Sequence, residues 1–151
     1  MVVEVTTKID IARPLRDVAA YAFGPANAPH WYANIKSVRW RTAPPLAVGS
    51  DIDFIAKFLG RELAYTYRVT ELTDNRLVMR TAQGPFPMVT VYQLQAAGPD
   101  RTRFCLTNRG APKGFAGMVA PVIAVAMRAA NSKDVAALKR VMEAGDLSLS
   151  S

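Results

Sequence analysis

Few side chains of this chain could take part in bond-making chemistry. It has one histidine, His30, and one cysteine, Cys105. His30 stands beside Trp31 with no carboxylate spaced to orient its imidazole, so a packing or surface role outweighs that of a general base. Cys105 lies inside the alternating stretch RFCLTN, the usual setting of a half-buried small hydrophobe, and a lone thiol excludes an internal disulfide. One histidine, one cysteine and no paired acidic spacing make no metal site, and no pattern asks for a cofactor. Phenols, amides and hydroxyls remain: Tyr65, Tyr67 and Tyr92, Asn108 and Asn131, with Thr81 and Thr90. Such groups can hold a carbonyl or a hydroxyl, and a tyrosine can in principle donate a proton to an enolate. No catalytic residue is singled out. The sequence shows no evident buried acid or base to share that work, which favours a binding protein over an enzyme.

These residues have to be positioned by regular elements. Residues 2–12 alternate, with Val3, Val5, Thr7, Ile9 and Ile11 on one parity and Glu4, Thr6, Lys8 and Asp10 on the other, the pattern of a half-buried strand. Pro14 suits the first turn of a short helix whose Val18, Tyr21 and Ala22 share a face, and Gly24 with Pro25 closes it. A second short helical piece covers residues 27–32. Strand patterns then recur at residues 35–41, from Gly49 with Ile52, Phe54, Ala56 and Phe58 on one face, and after Gly60 with Leu63, Tyr65, Tyr67 and Val69 on one face. Further strands are expected at 77–81, 88–95 and 102–109, separated by turns at 73–75 and 98–100 and by the rigid loop Gly-Pro-Phe-Pro at 84–87. Consecutive strands joined by short turns must form an antiparallel meander.

The last long segment, residues 114–145, puts Ala120, Ala124, Met127, Asn131, Val135, Leu138 and Met142 on one helical stripe. Lys133 and Arg140 lie opposite, and Gly145 is a stop signal. Pro121 either kinks this helix or begins its continuous part after a looser turn at 114–120. An antiparallel sheet with one apolar face needs a cover, and only this helix is long enough. The fold class is therefore α+β: an antiparallel sheet of about seven strands, two short helices after the first strand, and a long C-terminal helix over the sheet.

A chain of 151 residues, half of them hydrophobic and 21% charged, is most simply one domain, with residues 1–146 in the fold and a Ser-rich tail at 147–151. The net charge of +7, from 19 basic and 12 acidic residues, reads as solubility. The basic residues are spread with no run longer than a neighbouring pair, which argues against nucleic acid as a partner. The longest uncharged apolar run, residues 115–127, has about 13 residues against the roughly 20 of a membrane span, so no stable insertion is expected. With no basic-then-apolar leader, a cytoplasmic location is expected. The 115–127 run is apolar all round, leaving open whether it faces a ligand, a partner or a second copy in a homodimer.

On the inward parity lie Trp40, Phe54, Phe58, Tyr65, Tyr67, Met79, Tyr92, Phe104 and Leu106, with Asn108 among the inward polar groups and Met127 and Asn131 facing them from the helix. Any single aromatic there is more simply core filling. Together, however, they face a helix front with small residues, Ala120 and Ala124, which cannot fill the width between helix and sheet. A largely apolar cavity of several hundred Å³ is the expectation, with Tyr65 and Tyr67 as its polar anchors.

The opening IDIARPLRDVAAYAF, the His30-Trp31 pair followed by Ile35 and Val38, the stretch PLAVGS before the third strand, TRFCLTNRG before the final helix and the ending KDVAALKRVMEA carry a resemblance across nearly the whole chain. The sequence resembles the START-like (SRPBCC) superfamily, which includes polyketide cyclases, aromatase/cyclases and the birch-pollen-allergen type. That resemblance implies a helix-grip fold, a curved sheet wrapped around the long helix with an elongated hydrophobic cavity between them. It implies activities from lipid and steroid carriage to ring closure, and brings no universal catalytic motif to transfer. Binding or carriage of a lipid-, steroid- or polyketide-like molecule is the leading expectation. A cyclase or dehydratase is the second, since such chemistry can proceed by holding a reactive chain in one conformation, and a ligand-free regulatory or interaction protein the third.

Overall fold

The computed structural model describes residues 2–111 and 120–144. The alternating N-terminal stretch forms β1 (Val3–Ile11), with Val3, Val5 and Ile11 buried. Pro14 precedes α1 (Leu15–Ala22), and after Gly24 a 3-10 turn (Pro25–Asn27) runs directly into the single turn of α2 (Ala28–Trp31). Then come β2 (Ile35–Trp40), β3 (Asp51–Phe58), β4 (Arg61–Leu72), β5 (Arg76–Gln83), β6 (Met88–Ala96), β7 (Thr102–Gly110) and finally α3 (Ala120–Glu143).

The strands pair in the order β1-β7-β6-β5-β4-β3-β2, a meander with the N-terminal strand added beside the last one. Leu59 (φ 52°) and Gly60 (φ 77°) join β3 to β4. Both φ values are positive, as a two-residue hairpin requires to match strand twist, and Phe58 pairs directly with Arg61. Register shifts in β4 against β5, between Thr66 and Tyr67 and between Val69 and Glu71, bend the sheet. Thr66 and Tyr67 are both buried, on opposite faces of the sheet. Thr66 turns outward to donate to Asp53 Oδ1 at 2.6 Å, while Tyr67 turns inward. The outer face carries cross-strand ion pairs, Asp10 with Arg103 at 2.9 Å, Asp51 with Arg68 at 2.8 Å and Asp53 with Arg41 at 2.6 Å, of the exposed kind that adds little stability.

The curled sheet grips α3. Near the helix C-terminus Arg13 donates to the Met142 carbonyl at 2.8 Å, Glu143 accepts from the Ala12 N–H at 2.8 Å, and Lys139 donates to the Asp10 carbonyl at 3.0 Å. A cation on the last-turn carbonyls also complements the helix dipole. Val135, Leu138 and Met142 enter the main core with Ile11, Trp31 and Phe104, while Ile123 and Met127 form a smaller cluster with Val3 and Val5.

The buried stripe of α3 is Ile123, Met127, Asn131, Asp134, Val135, Leu138 and Met142. It departs from expectation at two places. Ala120 and Ala124 only flank the smaller cluster, and Ile123, four residues before Met127, points inward instead because its larger side chain gains more from burial. Asp134 is buried as well. Val122 and Val125 are exposed, so the described part of the apolar run buries one face and still presents apolar side chains on the other. The expected looser turn at 114–120 falls largely, and the Gly145 stop and the 147–151 tail fall wholly, outside the described residues. No described helix is long and apolar enough to cross a membrane.

Candidate functional site

A cavity of about 80 Å³ lies between the N-terminal half of α3 and the end of the sheet where the β3–β4 hairpin, the start of β6 and the end of β7 meet. Phe58, Leu63 and Tyr65 line it from the hairpin, Phe86 and Met88 from the Pro-flanked loop and β6, and Ile123 and Met127 from α3. Gly84 allows the close approach of that loop, since a Cβ there would lie 2.8 Å from the Cβ of Tyr65. Among the described residues no charged side chain lines the cavity. It is smaller than the several hundred Å³ expected, because Ile123 stands where a short side chain was anticipated and Phe86 closes over the wall.

Among the expected wall residues, Phe58, Tyr65, Asn108, Met127 and Asn131 line the cavity. Trp40, Phe54, Tyr67, Met79, Tyr92 and Phe104 do not. The last five are buried in the main core, and Trp40 is half-buried against it. The aromatic rings fill the space between helix and sheet by packing on each other: Trp31 meets Tyr92 and Phe104 edge-on at 5.6 and 5.9 Å, and Tyr65 meets Tyr67 at 4.9 Å. Parity placed these side chains on the inner face, but whether an inner side chain touches space or another ring depends on the helix above it.

The cavity has one polar end, built by a connected set of hydrogen bonds. Tyr67 Oη and Thr90 Oγ1 are 2.6 Å apart, Thr90 Oγ1 donates to Asn108 Oδ1 at 2.6 Å, and Asn108 Nδ2 donates to Tyr32 Oη at 2.7 Å and to Asn131 Oδ1 at 3.2 Å. Tyr67 is therefore engaged with Thr90 away from the cavity; Tyr32, Asn108 and Asn131 form the polar end, and Asn34 and Tyr65 are the other polar side chains on the wall. Asn131 Nδ2 is buried with no partner, and Tyr65 has no hydroxyl partner among the described residues. Burial pushes the Tyr32 and Tyr65 hydroxyls well above their ordinary pKa, and Tyr67 up to about 12, so all three stay protonated donors. Thr81 takes no part, accepting instead from the Met88 N–H at 3.0 Å.

Behind this polar end is the buried acid that sequence reasoning did not find. Asp134, one turn along α3 from Asn131, is 1% exposed. Its Oδ1 accepts the Ala33 N–H at 2.9 Å, tying α3 to the segment that carries Tyr32, while its Oδ2 has no partner. Burial raises its pKa to about 7, against the opposing pull of the Ala33 N–H. A signal existed: Asp134 falls on the helical stripe between Asn131 and Leu138. Tyr32, Phe86 and Met88 were also missed. Tyr32 and Phe86 sit in irregular segments, where no periodicity indicates direction. His30 is exposed on α2, and among the described residues no three potential metal-ligating side chains cluster.

The sequence matches a protein-family model described as polyketide cyclase / dehydrase and lipid transport over residues 2–143. Among solved structures, a START superfamily protein from Mycobacterium smegmatis superposes with a TM-score of 0.82 at 15% identity, covering 93% of this chain and 97% of the other. The Zhui aromatase/cyclase from Streptomyces sp. R1128 gives 0.76 at 14% identity, with 95% and 94% covered. Major latex-like protein 151 from Panax ginseng gives 0.68 at 14% identity, with 95% and 96% covered. At such identities the likeness is one of fold. No curated protein sequence matches this chain.

Proposed function

The chain belongs to the polyketide cyclase/dehydrase and lipid transport family, and from that premise we propose that it binds an apolar small molecule beneath α3, as a carrier or sensor. The supporting observation is one unsatisfied donor at the polar end of a largely apolar cavity. Asn131 Nδ2 is buried without a partner, which costs about 1–3 kcal/mol in a chain that never receives a ligand. At about 80 Å³ the cavity is smaller than the roughly 150 Å³ of an engineered apolar cavity that binds benzene, so a ligand must displace side chains. Met88 and Met127 line it, and their unbranched thioethers can change rotamer at low cost.

Native mass spectrometry of freshly purified protein, followed by titration with a fluorescent apolar probe, tests this reading. Ala130 lines the cavity and is half-buried. Ala130→Trp should abolish probe binding while leaving the circular dichroism spectrum unchanged. Unaltered probe binding in that variant would place the probe elsewhere and refute the reading. A second reading, ring closure or dehydration, is favoured by Asp134, a protonatable acid beside Tyr32. It requires Asp134→Asn to lose conversion of a bound polyketide-like substrate while keeping its affinity.

A further inference from the structure

We infer that the ligand presents a neutral carbonyl oxygen, as in a ketone, aldehyde or ester, to Tyr32 and Asn131, and that carboxylates and alcohols of the same skeleton are disfavoured. This rests on the apolar-ligand reading above and specifies its chemistry. The direction of each hydrogen bond follows from which atoms carry protons. Asn108 Oδ1 can only accept, so Thr90 gives it its single proton at 2.6 Å, and the 2.6 Å contact between Tyr67 and Thr90 must then have Tyr67 as donor. With Oδ1 turned to Thr90, Asn108 directs Nδ2 toward the cavity end, where it donates to Tyr32 Oη at 2.7 Å and Asn131 Oδ1 at 3.2 Å.

Two consequences reach the ligand. Asn131 accepts through Oδ1, and its Nδ2, a donor only, has no partner. Because Tyr32 accepts from Asn108, its own proton remains to be given. The Tyr32–Asn131 end therefore offers two donors, while the oxygens of Asn108, Asn131 and Tyr32 each already accept a hydrogen bond. A carbonyl oxygen accepts from both groups and brings no proton of its own. An alcohol placed there brings a proton that must compete with Thr90 and Asn108 for oxygens already accepting from them, and a hydrocarbon leaves both donors unmet. A carboxylate accepts well but enters a cavity lined by no charged side chain among the described residues, with the Asp134 carboxyl behind the polar end, so none of these supplies its charge with a counter-ion. Recognition by hydrogen bonding in an apolar site discriminates strongly, because an unmatched ligand leaves buried groups unpaired.

The experiment compares four compounds on one ring: cyclohexanone, cyclohexanol, cyclohexane and cyclohexanecarboxylate. Each is titrated at pH 7 into full-length protein carrying 13C-methyl methionine. The Met88 and Met127 methyls, both in the wall, report occupancy and affinity by NMR. Cyclohexanone should bind at least about tenfold more tightly than each of the others, the ratio that one unmatched buried polar group imposes. In Asn131→Leu its advantage over cyclohexane should shrink severalfold. Equal affinity of all four, or tighter binding of the alcohol or carboxylate, overturns the carbonyl inference while leaving the apolar-ligand reading intact. An undiminished ketone preference in Asn131→Leu also overturns it. If no compound shifts either methyl, the apolar-ligand reading falls and the inference with it. Should Asn131→Leu not fold, the wild-type series decides alone.

Discussion

Replacing Asp134 by asparagine should stabilise this protein at neutral and alkaline pH and do so progressively less as the pH falls. In the folded chain burial raises the carboxyl pKa from 3.8 to about 7. The folded state therefore holds a proton that the unfolded state has released over the interval between those values, and stability falls as pH rises through it. Below the lower value both states are protonated and nothing is lost; above the upper value the full penalty applies. A shift of about three units corresponds to roughly 4 kcal/mol at most. Asparagine keeps an oxygen for the Ala33 N–H but puts an NH2 where Oδ2 has no partner, at a cost of about 1–3 kcal/mol. The net expectation is a gain of about 1–3 kcal/mol at pH 8, or several degrees in Tm, turning into a small loss near pH 4. Urea melts of both proteins between pH 4 and 8 measure it. Parallel stability curves across that range would refute a raised pKa at Asp134. Surface carboxylates act in a different window: the hydrogen bond from Arg68 holds Asp51 below its ordinary value, so its contribution is lost only as pH falls further.

Other perturbations test separate parts of the structure. Leu138 is fully buried under the sheet, so Leu138→Asp should cost several kcal/mol, whereas Lys133→Asp on the exposed face should leave Tm nearly unchanged; similar thermal melts of the two would show that the stripe is misplaced. Gly84→Ala brings a methyl to 2.8 Å from the Tyr65 Cβ, so it should lower Tm and weaken probe binding together, and a neutral result on both would mean the loop has room to move. Thr90→Val leaves Tyr67 and Asn108 each short of a partner, with an expected loss of about 1–3 kcal/mol in denaturant melts. Because Thr90 does not line the cavity, any accompanying loss of ketone preference would report reorientation of Asn108, and an unchanged preference would mean that other contacts hold the amide.

The fold was legible because its signals are local and repeated. β1, β2, β3 and β4 announced themselves by alternation, β5 to β7 by the turn signals between them, and Gly60 or the Pro14 start of α1 marked where elements change. A meander leaves little topological choice once the strands are counted. The long helix was equally visible from Met127 onward, through Asn131, Val135, Leu138 and Met142. Its first described turns were harder, since in an apolar run every residue is a candidate for the inside. There the alanines were chosen and Ile123 was passed over, and with Ile123 went the estimate of how much space lies beneath the helix.

The site was legible by type but not by partner. Asn108 and Asn131 stood out as amides on inward positions, yet their meaning lies in which atom of each faces the other. That orientation is set by Thr90 on β6 and by Tyr32 in the segment between α2 and β2. No spacing rule connects residues 76 positions apart, and a threonine in a strand looks the same whether its hydroxyl holds an amide or water. Asp134 carries the same lesson more sharply. An aspartate on an amphipathic helix is ordinarily solvated, and only the Ala33 N–H arriving from the far end of the chain makes its burial tolerable. One acid thus fastens the Tyr32 segment to the helix that carries Asn131. A change of its ionisation acts on the spacing between the two donors that a ligand oxygen would meet, so affinity for cyclohexanone should weaken as Asp134 ionises above about pH 7, and should become independent of pH in Asp134→Asn. A pH-dependent affinity retained in that variant would assign the effect to another group.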